Sequence, residues 1–283
     1  MIKFNENNLE KAPCPLCKSK KFTYTSIEFH PVNLVKCDFC GLHYLRPRIR
    51  EKYMLEIYSS KDYFFSNTET GYKDYSFQKQ GLKSTYRSLF RVLQKKGYVG
   101  SLLLDIGCGY GYLLDEARGL FDYRAGTEFS KEAAGIAEKL CDRVFIGGIE
   151  EVDCLFDLIT TISVLEHVYN PVDFMKGIVK KLNPGGAVVM VTPNIDSFWA
   201  KFMRRKWPSF KIPEHIAYYD RKTLNYLFEI SGLKLMEFFP YHAFFPLGLI
   251  FEKLGFMTLP LKDKMKNINI LIPNVMSTAV AIK

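Results

Sequence analysis

The 283 residues amount to 32.8 kDa, enough for one large α/β domain or two modest ones. Hydrophobic residues make up 48% and charged residues 24% of the chain, which excludes a disordered or fibrous protein, and no run of about 18 apolar residues exists to span a membrane. The net charge of +9 is uneven: residues 1–100 carry +9, residues 101–200 carry −7 and residues 201–283 carry +7, which is either solvated surface or a grip by the basic ends on an anionic partner.

In chain order, Met1 to Glu6 lacks the apolar core of a secretion signal, so the expected compartment is the cytoplasm. Cys14-Pro15-Leu16-Cys17 follows, and, after nineteen intervening residues, Cys37-Asp38-Phe39-Cys40. Each pair sets two thiolates on one tight turn, with Pro15 and Gly41 suiting the bends, and the strand-like run between them can bring the turns together. A tetrahedral cage of four thiolates predicts zinc, with a rubredoxin-type iron site as the alternative; either is closed and structural, without a position for substrate. Seven cysteines without a leader argue against a disulfide framework, and Cys108, Cys141 and Cys154 read as small core residues. This zinc ribbon is assigned to residues 1–55 and a linking helical segment to 56–100. In the latter, a proline-free stretch over 70–98 carries apolar residues at helical spacing and closes on Lys95-Lys96-Gly97.

From residue 101, strand-like runs at 102–106, 123–127, 143–146, 158–163 and 187–192 alternate with helix-like runs at 113–120, 131–140 and 172–182. The alternation predicts an α/β fold with a doubly wound parallel sheet. Its first strand ends in Asp105-Ile106 and enters Gly107-Cys108-Gly109-Tyr110-Gly111. Glycines there let backbone approach a ligand at the carboxyl edge of the strand, where open α/β sheets bind ligands, although the G-x-G-x-G spacing differs from the dinucleotide fingerprint. The second strand ends at Glu128, 17 residues after Gly111, where a carboxylate can accept hydrogen bonds from both hydroxyls of a ribose. Together they point to a nucleoside cofactor.

Several ordered motifs give residues 101–283 a resemblance to the class I S-adenosylmethionine (SAM)-dependent methyltransferases, in the branch that includes ubiquinone-biosynthesis O-methyltransferases and many glycan or natural-product methyltransferases. The run 104–111 looks like motif I with Glu128 as its ribose acid, Val164-Leu165-Glu166-His167-Val168 like the end of the fourth strand, and Leu182-Asn183-Pro184-Gly185-Gly186 like the turn before the fifth. Thr192-Pro193-Asn194, Pro213-Glu214-His215-Ile216 and Thr223-Leu224 match the segments beyond. An N-terminal zinc ribbon also occurs in members that resemble sugar methyltransferases. The resemblance implies a seven-stranded Rossmann-like methyltransferase domain at 101–283, with a lid at 197–220 and an apolar insertion at 241–270. It implies that Gly107, Gly109, Tyr110 and Gly111 admit the methionine moiety and ribose, that Asp105 orients the turn or the ammonium, and that Glu128 holds the ribose. Phe129, Ile149 and Leu165 complete the cofactor contacts, Ile149 as an apolar wall beside the adenine, although Gly148 stands where the family usually has an acid.

His167 and His215 are the candidate catalytic residues, as proton acceptors or acceptor-orienting groups; the plainer reading is two histidines that shape their loops. Residues 198–207 combine both tryptophans with four cations, which suits a phosphate-bearing or aromatic acceptor, or else a basic helix with its tryptophans in the core. Residues 244–251 are too apolar to lie exposed and read as buried packing, an acceptor-pocket cap, or a dimer or bilayer contact. The expected activity is O-methylation, with SAM as donor, of a small hydroxylated acceptor such as a sugar, sugar nucleotide or glycan. An RNA methyltransferase that binds nucleic acid through the ribbon and basic flanks is the alternative, although the fourth strand lacks the Asn/Asp-Pro-Pro-Tyr/Phe run of many base-modifying enzymes. A binding module that keeps the fold without catalysis is a third reading.

Overall fold

The computed structural model describes residues 6–58, 75–253 and 268–283. The reading of residues 1–5 as free of a leader, residues 59–74 of the linking segment and residues 254–267 of the apolar insertion lie outside the described residues, whereas the expected boundary between ribbon and linking segment at 55/56 falls inside the helix Glu51–Tyr58. Among the described residues, no helix is long and apolar enough to cross a membrane.

Three strands, β1 (Phe22–Phe29), β2 (Val32–Cys37) and β3 (His43–Arg46), follow the first CxxC pair as an antiparallel meander, with Val35 opposite Tyr44. Helix α1 (Glu51–Tyr58) comes next, then α2 (Lys79–Lys95). The basic last turn and Gly97 end α2 as the sequence predicts: Gly97 sits at φ 77°, its N–H donates to the Gln94 carbonyl at 3.1 Å, and the Tyr98 N–H donates to that of Leu93 at 3.0 Å.

The alternation then appears as β4 (Leu102–Ile106), α3 (Tyr112–Glu116), β5 (Tyr123–Glu128), α4 (Lys131–Ala137), β6 (Arg143–Ile146), β7 (Phe156–Ile162), α5 (Pro171–Lys181) and β8 (Leu182–Thr192). After it come α6 (Phe198–Met203), β9 (Ala217–Tyr218), α7 (Arg221–Ile230), β10 (Lys234–Pro246), α8 (Leu247–Lys253) and β11 (Asn269–Ile282). Helix starts are capped where the sequence offers a short polar side chain. Ser130 accepts from the Ala133 N–H at 3.3 Å, and Asp220 forms a reciprocal capping box with Thr223.

Seven strands form one sheet in the order β10-β11-β8-β7-β4-β5-β6, in which β11 alone runs against its neighbours. Both faces are covered, so the central strands are apolar without alternation. Leu104, Ile159, Val188 and Met190 pack with α5 and α7 on one face, while Leu103, Leu158, Val189 and Val191 pack with α2, α3 and α4 on the other. The chain leaves β4 towards β5 and β6, then returns to β7 on the other side of β4. The carboxyl ends of β4 and β7 therefore flank the switch point at which such sheets bind ligands.

The ribbon does not stand apart from this domain. Its meander gains a fourth strand from β9, with Ala217 opposite Tyr44 and Tyr218 opposite His43. Val32, Leu34, Leu45, Ala200, Trp207 and Tyr218 form one buried cluster. Trp207, 3% exposed, is thus core, whereas Phe198 and Phe202 stack on each other at 63% and 71% exposure. Tyr218→Ala should therefore destabilise the protein by roughly 3–5 kcal/mol in a denaturant melt. It should also raise amide exchange across both 32–46 and 200–218; native protection over 32–46 would show that the ribbon folds on its own.

Candidate functional site

The turn after β4 is held in a left-handed backbone. Gly107 lies at φ 70° and Gly111 at φ 75°, and an added Cβ would meet Val164 Cγ2 at 2.8 Å in the first case and the Ala137 Cα at 3.0 Å in the second. The end of β5 is laced to this turn. Thr127 accepts from the Cys108 N–H through its carbonyl at 2.9 Å, and the buried Glu128 takes the Gly109 N–H on Oε2 at 3.0 Å and the Ser130 N–H on Oε1 at 2.9 Å. Burial raises the Glu128 pKa from its ordinary value, while these amide hydrogen bonds favour the carboxylate. Phe129, next to it, is 45% exposed.

Asp105 sits under the turn, buried, with Oδ1 accepting from the Thr160 hydroxyl at 2.7 Å. Burial pushes its carboxyl up to about 7 against the opposing effect of the Thr160 bond, and the nearby Glu128 charge adds to the rise. Tyr110 is buried edge-on to Tyr112. Ile149 leans on α5 where Gly177 leaves room, its Cγ2 2.8 Å from where a Cβ there would stand, and Leu165 is wholly buried. The predicted cofactor residues thus fall into two groups: Asp105, the glycines, Glu128 and Phe129 meet at the sheet edge, while Ile149 and Leu165 belong to the core cluster on the α5 side.

Beyond β7, Ser163 takes φ 56° and the chain makes a single helical turn over Leu165–His167. Glu166 is wholly buried: Oε2 accepts from the Thr192 hydroxyl at 2.9 Å, whereas Oε1 has no hydrogen-bond partner among the described residues and lies 4.0 Å from His215 Nε2. Burial pushes this carboxyl up to about 7. The rings of His167 and His215 meet edge-on at 4.6 Å, and burial holds both well below the usual imidazole range, hence neutral. His167 Nδ1 is 3.0 Å from the Glu214 carbonyl and 2.9 Å from the Tyr58 hydroxyl. A carbonyl only accepts, so a proton on Nδ1 serves Glu214 and leaves the Nε2 lone pair available, while the other tautomer lets Tyr58 donate to Nδ1. Donor atoms of Glu166, His167 and His215 lie within 4.8 Å of one another, close enough for the three to act as one cluster.

The four ribbon cysteines converge. Their Sγ atoms all lie within 4.8 Å of one another, with Cys14 and Cys40 3.6 Å apart and Cys17 and Cys37 3.4 Å apart. Tetrahedral zinc with 2.3 Å bonds needs sulfurs about 3.8 Å apart, so this donor set fits the ion and is far too open for disulfides. Cys108 is buried against Gly126, and Cys141 and Cys154 are half-buried.

Four residues of these arrangements receive no role in a reading of the sequence: Thr160 and Tyr58, which carry no local signal, and Glu166 and Thr192, which enter it only as members of motifs. Glu166 adjoins His167 in the chain, and its apolar flanks are the signal that could have marked a buried acid.

A family model described as "Methyltransferase domain" matches residues 79–237, more than half of the chain. Among curated proteins, the chain is 31% identical over 110 residues to the mitochondrial ubiquinone biosynthesis O-methyltransferase of Schizosaccharomyces pombe, covering 35% of this chain and 40% of that protein. It is 28% identical over 158 residues to the ubiquinone biosynthesis O-methyltransferase of Burkholderia ambifaria, covering 47% and 68%. The chain thus spans less than half the length of the S. pombe relative. Among solved structures, the fold matches magnesium protoporphyrin IX methyltransferase of Synechocystis PCC 6803 with bound SAH (TM-score 0.50, 12% identity, 82% of this chain and 93% of that one). It also matches the plantazolicin methyltransferase in complex with SAH (TM-score 0.52, 16% identity, 82% and 96%).

Cys37→Ser should lose bound zinc in a metal analysis and lower the melting temperature, because metal binding and folding of such a cage are coupled; full zinc content with an unchanged melt contradicts the cage. Asp105 gives a second test. Its carboxyl releases a proton near pH 4 in the unfolded chain but near 7 when folded, so the folded state holds the extra proton between these values and loses stability as pH rises through them. Asp105→Asn should therefore gain on the order of 1 kcal/mol or more over the wild type between pH 5 and pH 8 in urea melts. Parallel pH profiles would contradict a buried, protonated Asp105.

Proposed function

Because the chain belongs to the methyltransferase-domain family and is a SAM-dependent methyltransferase, we propose that it methylates a hydroxyl of a small acceptor such as a sugar, sugar nucleotide or glycan. The single observation that carries the cofactor part is the Glu128 carboxylate joined to the Gly109 amide at the carboxyl edge of adjacent strands. Transfer to oxygen draws its support from the relatives that are named as O-methyltransferases.

Bound SAM supplies an activated methyl group on a sulfonium centre, so the chain has to place that group in line with the acceptor and take up a proton. In this reading the turn over Gly107, Gly109, Tyr110 and Gly111 receives the methionine and ribose without side-chain obstruction. Each Glu128 oxygen holds one amide N–H and keeps a further lone pair for a ribose hydroxyl. Asp105, protonated up to about pH 7 by its burial, braces the turn from below through Thr160. The exposed Phe129 ring offers a face to the adenine, with Ile149 and Leu165 as the apolar backing. His167 is the proton acceptor: a proton on Nδ1, donated to the Glu214 carbonyl, leaves Nε2 free to receive one from the acceptor hydroxyl. His215, edge-on to it and beside Glu166, fixes the plane of that ring. Zinc held by Cys14, Cys17, Cys37 and Cys40 acts on the fold alone, since four thiolates close its coordination shell.

Incubation of the purified protein with methyl-labelled SAM and a panel of nucleotide sugars, glycans, phenols and RNA tests the acceptor. Label is expected in a hydroxylated small molecule, and label in RNA instead would overturn the reading. In calorimetry, Glu128→Ala should weaken SAM binding by about tenfold or more, the loss expected from hydrogen bonds to a charged group, with zinc content unchanged. Undiminished affinity would remove Glu128 from the ribose site.

A further inference from the structure

A cavity of about 540 Å³ opens between the segment before the first CxxC pair and the end of the ribbon, with Glu10, Lys11, Lys18, Arg48, Arg50 and Tyr169 on its walls. The glycine turn is not part of it. Arg48 is built into the fold rather than laid on the surface: it is 9% exposed, its Nε–H donates to Glu10 Oε1 at 2.8 Å, and its guanidinium lies 4.4 Å from the Tyr169 ring centre. Its Nη1 is buried without a hydrogen-bond partner among the described residues. A buried charged donor left unmet is costly, so such a group marks a place where an acceptor belongs.

The surrounding charge has one sign. Four cations line the cavity against a single carboxylate, Glu10, which is already engaged by Arg48. Lys11 and Arg50 form no ion pair among the described residues, and Lys18 spends its ammonium on the neutral Pro15 carbonyl and Asn170 Oδ1, both at 3.1 Å. A zinc tetrathiolate is formally −2 and takes up part of this charge, but Cys14 alone of its ligands borders the cavity. Planar guanidinium forks together with ammonium groups match the oxygens of a phosphate better than those of a lone carboxylate. Position links the cavity to the chemistry, since Tyr169 stands two residues past His167 on the chain leaving the carboxyl edge that also carries the glycine turn.

We propose that this cavity binds a phosphate or diphosphate group carried by the methyl acceptor, with Arg48 as its buried anchor and Lys11, Lys18 and Arg50 around it. Only the acceptor part rests on the function proposed above; the anion site stands without it.

The test uses the full, zinc-loaded chain, with inorganic pyrophosphate as the probe in calorimetry and SAM affinity measured on the same samples. The surface variant Lys11→Ala/Arg50→Ala should lower pyrophosphate affinity by about tenfold or more, and Arg48→Met, which keeps an apolar stem against Tyr169, by more still. SAM affinity should stay unchanged in both. No pyrophosphate binding by the wild type, or equal binding by the surface variant, overturns the site; should Arg48→Met fail to fold, the surface variant still decides. Loss of SAM binding in the wild type would instead count against the function and leave the anion result standing. Methyl transfer to phosphorylated and dephosphorylated forms of the same acceptors then identifies the source of the phosphate. A preference for the phosphorylated form that the surface variant loses supports the proposal. Pyrophosphate binding without such a preference overturns the acceptor assignment in favour of a site for free anion.

Discussion

The Glu128 carboxylate, held by the amides of Gly109 and Ser130, ties the end of one parallel strand to the turn that follows its neighbour. This contact sets the geometry on which the account of the site depends. Without it, the left-handed turn after β4 would be joined to β5 by Thr127 alone, through hydrogen bonds from the amides of Gly107 and Cys108. The arrangement combines a rigid backbone cradle with a carboxylate whose pKa burial raises and whose charge two N–H donors favour. Asp105 lies beneath, a buried acid with a single hydroxyl donor that keeps its proton to about pH 7. Burial raises both carboxyl groups, and what opposes it differs: two backbone amides at Glu128 and one hydroxyl at Asp105.

The second organising feature is the sheet shared by the ribbon and the segment at 197–220. Because β9 pairs with β3, the metal cage, the aromatic cluster around Trp207 and Tyr218, and the loop that carries His215 are parts of one packed unit. The Ile216 N–H donates to the Glu166 carbonyl at 2.9 Å and the Leu45 N–H to that of Ile216 at 2.9 Å, a continuous path from ribbon to the end of β7. The four-cysteine cluster thus belongs to the same packed unit as the segment that carries His215. Residues of the ribbon also line the basic cavity beside Arg48, together with Tyr169 of the larger domain.

What could be read from the sequence follows the range of the interactions. Strands and helices between 102 and 192 are legible because apolar periodicity, glycine turns and short polar caps act over a few residues. β8 begins at Leu182 rather than at Ala187, since the Pro184-Gly185-Gly186 turn forms a register shift inside the strand instead of preceding it. The glycines, Asp105 and Glu128 stand out because strand ends carry their own punctuation. By contrast, Tyr58 meets His167 across 109 residues, Thr160 meets Asp105 across 55, and Arg48 meets Glu10 across 38. No local pattern encodes such pairs. The tryptophan-rich basic run admitted both an acceptor-binding and a core reading, and Trp207 went to the core because β9 brings Tyr218 and the ribbon strands against it.

The central claim is that SAM lies across the turn after β4 and the end of β5. Photo-crosslinking of methyl-labelled SAM to the zinc-loaded protein, with the adducts mapped by peptide mass spectrometry, tests it most directly. The account predicts label, displaced by unlabelled SAM, in the peptides that carry Gly107 to Gly111 and Glu128 to Phe129. Specific label confined to other segments, or none that unlabelled SAM displaces, would contradict it.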